Sequence, residues 1–160
     1  MTTTFQTNLQ LDAQTRAQLV DMLNMALAET SDLYFMTKQA HWNVRGPFFF
    51  ARHELFDKVA GKRLGYIDAL AERVGTLGGY AEGSLRWAAE NTQLKAYDRE
   101  AVSGTEHVRN LANRYASYCA HVRKWIEVAS ELDPATEDLL TEILRETELD
   151  LWFLESHVQG

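Results

Sequence analysis

The chain has 160 residues, which favours one domain with a sizeable hydrophobic core. No apolar run approaches the roughly 20 residues that cross a membrane, and the N-terminal sequence lacks the basic and apolar parts of a secretory signal. The net charge is −7, and the single cysteine, Cys119, excludes an intrachain disulfide. We therefore expect a cytoplasmic protein in a reducing compartment.

The charge distribution also disfavours nucleic-acid binding through a basic arm. Phosphate binding rests on lysine and arginine, but the first basic residue is Arg16 and the last ten residues contain neither type. An acidic surface suits metal cations as partners, although such a charge more commonly serves solubility.

Four long helical patterns are predicted, and the first two are joined by a short connection. The first covers about residues 12–42, and His41 continues its apolar face. Gly-Pro at 46–47 ends it. The second covers about residues 50–77, where the glycines at 78–79 supply a natural C-terminal cap.

The third and fourth helices begin at recognisable caps. Ser103 and Glu106 have the spacing of a capping box, and the third helix is predicted from there to about Leu132. Asp133 and Pro134 supply an acidic cap and a first-turn proline, so the fourth helix is predicted from there towards the C-terminus.

The connections between these helices define the fold class. Short connections join the first helix to the second and the third helix to the fourth, whereas about 24 residues separate the second helix from the third. That is too long for a simple loop, and residues 84–91 are predicted to form a short extra helix there. The sequence thus predicts an all-α fold, a ferritin-like four-helix bundle with one long crossover. The bundle domain is predicted at residues 12–158, after a short non-basic tail at 1–11.

The second helix contains two pairs of candidate metal ligands. His53 and Asp57 are one turn apart, and Asp68 and Glu72 repeat this spacing on nearly the same stripe, about 20° away at about 100° per residue. The pairs are nonetheless roughly 16 Å apart along the axis, whereas metal bonds to nitrogen and oxygen are only about 2 Å long. The two pairs of one chain therefore cannot share one metal centre.

Two arrangements remain open for these pairs. Each pair is a separate feature, such as a solvated helix surface, or two chains meet about a two-fold axis with their second helices antiparallel. Gly61 and Gly65 lie on the stripe between the pairs. Small residues there serve packing within the chain or close contact with a second chain. The joint spacing favours a site at a dimer interface, with two copies per dimer.

A di-iron centre inside a single bundle is disfavoured. Such a centre uses glutamate three residues before histidine on two of its helices. The residues three positions before the five histidines are instead Lys38, Phe50, Gly104, Tyr118 and Leu154.

Four stretches of the chain have a pattern typical of one family: KQAHWNVRG, HELFD, YIDALAERVGTLGG and LWFLESHVQ. Together they resemble the Dps proteins, or mini-ferritins, and the resemblance covers nearly the whole chain apart from about its first ten residues. It implies a ferroxidase centre between two-fold-related subunits. His41, His53 and Asp57 would come from one chain, and Asp68 and Glu72 from its neighbour.

The resemblance also implies an activity and an assembly. The family forms a hollow homododecamer, oxidises Fe(II), typically with hydrogen peroxide and otherwise with oxygen, and stores ferric mineral, which protects against oxidative damage. Histidine and carboxylate ligands suit iron, although zinc or manganese could compete. The alternative is a DNA-compacting, nucleoid-associated protein with little ferroxidase role. The absence of a lysine-rich tail weighs against it and predicts that direct DNA binding is weak or absent.

Further residues gain predicted roles from the resemblance. Trp42, beside the first ligand, is assigned a radical-quenching role in catalysis, with aromatic packing as the alternative. Lys38 is in a position to pair with a carboxylate of the site, with a solvated lysine as the alternative. Asp133, Asp138 and Glu142 match acidic residues that line a three-fold pore, although the helix dipole also favours acids near a helix N-terminus.

Overall fold

The computed structural model describes residues 5–159, so the first four residues of the predicted tail lie outside it. Its helices are α1 (Ala13–Asn43), α2 (Phe49–Thr76), α3 (Leu85–Asn91), α4 (Gly104–Ser130) and α5 (Pro134–Ser156). Within the described range there is no strand, only an isolated bridge between Arg45 and Ser103. The all-α prediction and the short helix in the crossover are confirmed.

Local sequence signals explain where the helices begin. The Asp12 carboxylate accepts a hydrogen bond from the Thr15 amide at 2.9 Å at the start of α1. Ser103 and Glu106 form the predicted capping box at the start of α4, because each side chain accepts from the backbone amide of the other. Asp133 caps α5. Each such cap stabilises its helix by about 1 kcal/mol.

Two glycines with positive φ mark the ends of α2. Gly46, at φ +88°, opens the turn from α1, and Phe48 also lies in the left-handed region at φ +60°. Gly78, at φ +79°, follows the last turn of α2. Its carbonyl accepts a hydrogen bond from the Phe5 amide at 2.7 Å, which fixes the described N-terminal segment against this end of the helix. Both positions favour glycine because it lacks a Cβ.

The core lies between two helical hairpins. α1 packs along α2 and α4 along α5, while α3 packs against α1. Two buried tyrosines join the hairpins: Tyr115 and Tyr118 of α4 form hydroxyl contacts with Thr37 and Thr30 of α1 at 3.0 and 2.6 Å. None of the helices in the described part of the chain combines the length and low polarity that a membrane span requires.

Candidate metal centre

The turn between α1 and α2 brings two predicted ligands into contact. His41 lies in the last turn of α1, and His53 lies in the second turn of α2. Their rings stack with centroids 3.7 Å apart and an interplanar angle of 21°. A separation of twelve residues in sequence thus becomes direct contact, because the chain reverses at residues 44–48.

Each imidazole is oriented by the backbone of the other residue. His41 Nδ1 donates to the His53 carbonyl at 2.8 Å, and His53 Nδ1 donates to the His41 carbonyl at 2.9 Å. A carbonyl can only accept, so each Nδ1 carries a proton and Nε2 is the ring nitrogen left for a metal. Metal-binding histidines are commonly anchored in this way, with one nitrogen hydrogen-bonded and the other left for the metal.

Asp57 adds a carboxylate to the histidine pair. Its side chain is 56% exposed, and its Oδ1 lies 3.9 Å from His41 Nε2. The Lys38 ammonium donates to the same oxygen at 2.6 Å. This hydrogen bond is the main cause that holds the pKa of Asp57 below its ordinary value, so the group is ionised at neutral pH. The predicted pairing of Lys38 with this carboxylate is thus observed, while the role of Asp57 as a metal ligand stays a prediction.

Asp68 and Glu72 lie further along α2, where both are exposed. The structure brings His41, His53 and Asp57 near one another but does not bring Asp68 or Glu72 to them. Within residues 5–159, no three or more histidine, cysteine, aspartate or glutamate side chains form a group that could hold a metal ion. The five predicted ligands therefore do not make a closed site in one chain.

A shallow groove separates the two halves of the predicted ligand set. It is lined by Gly61, Leu64, Gly65, Ile67, Asp68 and Ala71. A Cβ placed on Gly61 or Gly65 would meet no atom of the described chain within 4 Å, and Leu64 is 54% exposed. The glycines therefore do not serve packing within the chain. They leave a shallow groove on α2 that another helix could approach closely.

Trp42 follows the first histidine and is 57% exposed, so it is not a core packing residue in this chain. The Lys38 ammonium lies 5.6 Å from the centroid of its ring. Lys38 thus contacts both this indole and the Asp57 carboxylate. The catalytic role of Trp42 stays a prediction.

The three predicted pore acids differ in their surroundings. Asp133 is buried, where it caps α5 and pairs with Arg73. Burial raises the pKa of Asp133, but hydrogen bonds from Thr136 and Arg73 outweigh that effect and hold it below its ordinary value. Asp138 and Glu142 are exposed. The carboxylate of Asp133 is thus already engaged within the chain, whereas the other two acids face solvent.

A buried ion pair that the sequence analysis did not predict lies inside the bundle. Arg63 of α2 is fully buried, donates to Asp150 of α5 at 3.0 Å and contacts the Thr147 hydroxyl. Lys62 joins from the edge, with contacts of 2.8 Å to Asp150 and 3.0 Å to Glu146. Internal metal centres of helical bundles are built in the core from facing helices. A guanidinium fills that space here, which disfavours an internal metal centre.

Comparison with known proteins gives the family. A family model described as a ferritin-like domain matches residues 20–160. A protein of Agrobacterium fabrum named DNA protection during starvation protein is 40% identical over 157 residues, which cover 98% of this chain and 97% of that protein. The chain belongs to the Dps family.

Solved structures agree with this assignment. The tetragonal form of Mycobacterium smegmatis Dps matches with a TM-score of 0.94 at 30% identity, covering 98% of this chain and 95% of that one. The Dps protein of Vibrio cholerae O1 matches with a TM-score of 0.89 at 29% identity, covering 97% and 98%. That protein is described as a member of a broad superfamily of ferritin-like diiron-carboxylate proteins. The predicted Dps resemblance is thus confirmed.

Proposed function

We propose that this Dps protein is a ferroxidase that stores iron and so protects against oxidative damage. One observation carries the proposal: two histidines stack with each Nδ1 held by a backbone carbonyl, and Nε2 of His41 lies 3.9 Å from the ionised carboxylate of Asp57. Imidazole and carboxylate together suit iron, and the same donors would also accept zinc or manganese as competing ions.

The complete site would form between two copies of the chain. His41, His53 and Asp57 would come from one copy, and Asp68 and Glu72 from a second copy whose α2 helix runs antiparallel. The shallow groove at Gly61 and Gly65 supports this pairing, because it permits close approach of two helices. Six such dimers would make the hollow dodecamer in which ferric mineral is stored.

Iron is the substrate of this site. Two ferrous ions each give one electron to a single hydrogen peroxide, which takes up two protons and becomes two waters, while two ferric ions are formed. Pairing the electrons in this way avoids the one-electron reduction of peroxide that releases hydroxyl radical. We therefore propose hydrogen peroxide as the preferred oxidant, with oxygen as the slower one.

When no iron is bound, the positive charge of Lys38 would take the place of the metal ion beside Asp57. In the iron-free chain its ammonium balances the Asp57 carboxylate at 2.6 Å. A ferrous ion bound there would displace the ammonium towards solvent and Trp42, whose ring already lies 5.6 Å from it. For iron entry, Asp138 and Glu142 are the exposed acids that could line a pore, with Asp133 as the cap that orients the start of α5.

Direct DNA binding would be weak or absent in this proposal. The relative from Agrobacterium fabrum is named for DNA protection. Removing ferrous iron and peroxide protects DNA without contact, and a net charge of −7 opposes phosphate binding. A gel shift by the purified protein that weakens as salt rises would contradict this part of the proposal.

The decisive experiment tests whether the two halves come from different chains. His53→Ala and Glu72→Ala are prepared with different affinity tags, co-expressed, and mixed shells are isolated through both tags. Each variant alone should oxidise Fe(II) with peroxide very slowly. In a mixed dimer, one of the two sites receives both intact halves. Random pairing therefore restores about one quarter of the wild-type sites.

A matched control and two outcomes make this experiment conclusive. Glu54→Ala removes an exposed glutamate from the same helix outside the predicted ligand set, and it should oxidise iron at the wild-type rate. Mixed shells that stay as slow as either parent would refute the shared site. An unchanged rate in His53→Ala alone would refute the ligand assignment.

A further inference from the structure

A tyrosine and a histidine outside the candidate metal centre form a short hydrogen bond. The hydroxyl of Tyr97, in the crossover between α3 and α4, lies 2.6 Å from Nδ1 of His107 in α4. Burial is the main cause that raises the pKa of Tyr97, with Asp98 adding to it and Arg114 opposing it. Burial also lowers the pKa of His107. The phenol is therefore protonated and the ring neutral at pH 7, so the hydroxyl donates to Nδ1.

The other tyrosines with a hydroxyl contact to a side chain have different partners. Tyr115 and Tyr118 contact threonine hydroxyls, which are not bases at neutral pH. Tyr66 contacts the carboxylate of Glu142, but at 3.4 Å. Of the tyrosines in residues 5–159, Tyr97 thus has the shortest hydrogen bond to a basic group.

A phenol with a base on its hydroxyl can lose an electron and a proton together. Loss of one electron makes a phenol strongly acidic. A hydrogen-bonded base that takes the proton in the same step avoids the phenol radical cation, which is unfavourable. We propose that Tyr97 and His107 form a proton-coupled electron-donor site, which reduces strong one-electron oxidants of the hydroxyl-radical class. Tyr97 gives one electron to the hydroxyl radical, which becomes hydroxide. The phenolic proton moves to His107 Nδ1, and the products are a neutral tyrosyl radical and an imidazolium.

The surroundings of His107 support a transient positive charge. The ring is 1% exposed, and the backbone of Asn43, the last residue of α1, raises the pKa of His107 and so favours the protonated form. The Glu106 carboxylate also favours the protonated form, and Arg45 opposes it. The imidazolium is thus stabilised by one carboxylate and one backbone group, while burial limits the lifetime of the charge. Ferrous iron then gives one electron to the tyrosyl radical and becomes ferric iron. The proton returns from His107 to Tyr97 in that step.

The position of the pair suits the capture of oxidants formed near iron. Asn43, whose backbone interacts with His107, directly follows Trp42 in the chain, and His41 precedes that tryptophan. The bridge between Arg45 and Ser103 joins the end of α1 to the start of α4. The pair therefore lies beside the segment that presents the candidate iron ligands. A short stretch of backbone connects the two regions.

The experiment uses the assembled, iron-free protein, so its result does not depend on the proposed ferroxidase site. A laser flash in the presence of ruthenium tris-bipyridine and persulfate generates a one-electron oxidant, and the sample is frozen for electron paramagnetic resonance. We expect a neutral tyrosyl signal with a hyperfine coupling to one exchangeable proton, and a slower formation in deuterium oxide. Tyr97→Phe should lose this signal, and His107→Gln should lose the exchangeable coupling and the isotope effect.

Tyr80→Phe is the matched control, because Tyr80 is 53% exposed and has the same chemistry at the protein surface. It should keep the coupled signal. Three results would overturn the proposal: an unchanged signal in Tyr97→Phe, an unchanged isotope effect in His107→Gln, or a wild-type radical without exchangeable coupling. The last is read on the unmodified protein, so the proposal remains testable when a variant does not fold.

Discussion

Replacement of Asp150 tests how the interior of the bundle is held together. Asp150→Ala removes the carboxylate that faces Arg63, whose side chain has no exposure to solvent. The guanidinium would keep the Thr147 hydroxyl and the rings of Tyr66 and Tyr115, with centroids at 5.3 and 5.7 Å. None of these carries a negative charge. A buried cation would thus remain without its counter-ion.

The magnitude follows from this burial. Removing one partner of a buried ion pair costs about 3–5 kcal/mol, because the other charge stays desolvated and unpaired. For a chain of this size, each kcal/mol shifts the unfolding temperature by about 2–4 °C, so the expected decrease is about 6–20 °C. The control is Glu148→Ala, which breaks an exposed pair with Arg123 and should cost about 0–1 kcal/mol.

The assay is thermal unfolding followed by circular dichroism at fixed protein concentration, since assembly makes the transition concentration-dependent. Peroxide-driven Fe(II) oxidation is measured below the transition of both variants. Asp150→Ala should keep the wild-type rate there, because Asp150 lies outside the predicted ligand set. A decrease no larger than that of Glu148→Ala would refute the argument from burial.

A double replacement separates charge from packing. Burial raises the pKa of Asp150 although Lys62 and Arg63 lie beside it, so desolvation outweighs attraction to the two cations. Replacing both Arg63 and Asp150 by apolar residues, as in Arg63→Met with Asp150→Leu, should therefore recover most of the lost stability. Lys62 would retain Glu146. A double variant less stable than Asp150→Ala would contradict the dominant role of desolvation.

Three further predictions concern single positions. Asp133→Asn keeps a capping side chain but loses the ion pair with Arg73, which costs about 1–3 kcal/mol at pH 7. Since the folded pKa of Asp133 lies below its ordinary 3.8, the difference in urea titrations should shrink as the pH falls below about 4 and vanish below the folded pKa. Gly65→Trp should leave helical content unchanged by circular dichroism but give smaller particles in size-exclusion chromatography, whereas intact shells would refute a dimer contact there. Gly78→Ala places a Cβ 2.7 Å from the Phe5 carbonyl at φ +79° and should lower stability by about 1 kcal/mol or more in denaturant titrations, unlike Gly75→Ala.

The helices could be predicted from the sequence because their caps are local. Ser103 with Glu106 and Asp133 with Pro134 fix the starts of α4 and α5 within a few residues of chain. For the crossover, only its length could be predicted from the sequence, and its path could not. How residues 92–103 run over the bundle depends on contacts with distant residues, such as the hydrogen bond from Arg114 to the Ala96 carbonyl, and no local pattern encodes these.

The buried position of Arg63 could be predicted from the sequence, but the residue that pairs with it could not. Arg63 falls on the same helical stripe as Phe56, Val59 and Leu70, all of which are buried, so the spacing places it in the core. Its counter-ion is 87 residues away, on a helix whose rotation the sequence does not determine closely. A charged residue on an apolar stripe therefore indicates a buried ion pair.

The candidate metal centre shows the same limit. Helical spacing predicts two pairs of candidate ligands that one metal cannot share, and the structure keeps Asp68 and Glu72 apart from His41 and His53. The orientation of the imidazoles was beyond the sequence, because it arises from backbone carbonyls that the Gly46 turn brings together. Residue types predict which atoms can bind a metal, and the turn decides which of them are available.

The mutual anchoring of His41 and His53 makes the candidate metal-binding surface rigid in the chain without a bound ion. Binding need not immobilise two mobile side chains, which would otherwise cost about 0.5–1.5 kcal/mol each. Each anchor is moreover a main-chain oxygen, so it survives truncation of the side chain on the same residue. Loss of one ring thus leaves the hydrogen bond that orients the other imidazole intact. Mutating one histidine removes its ring from the stack and its own hydrogen bond, but it leaves the backbone anchor of the other ring in place.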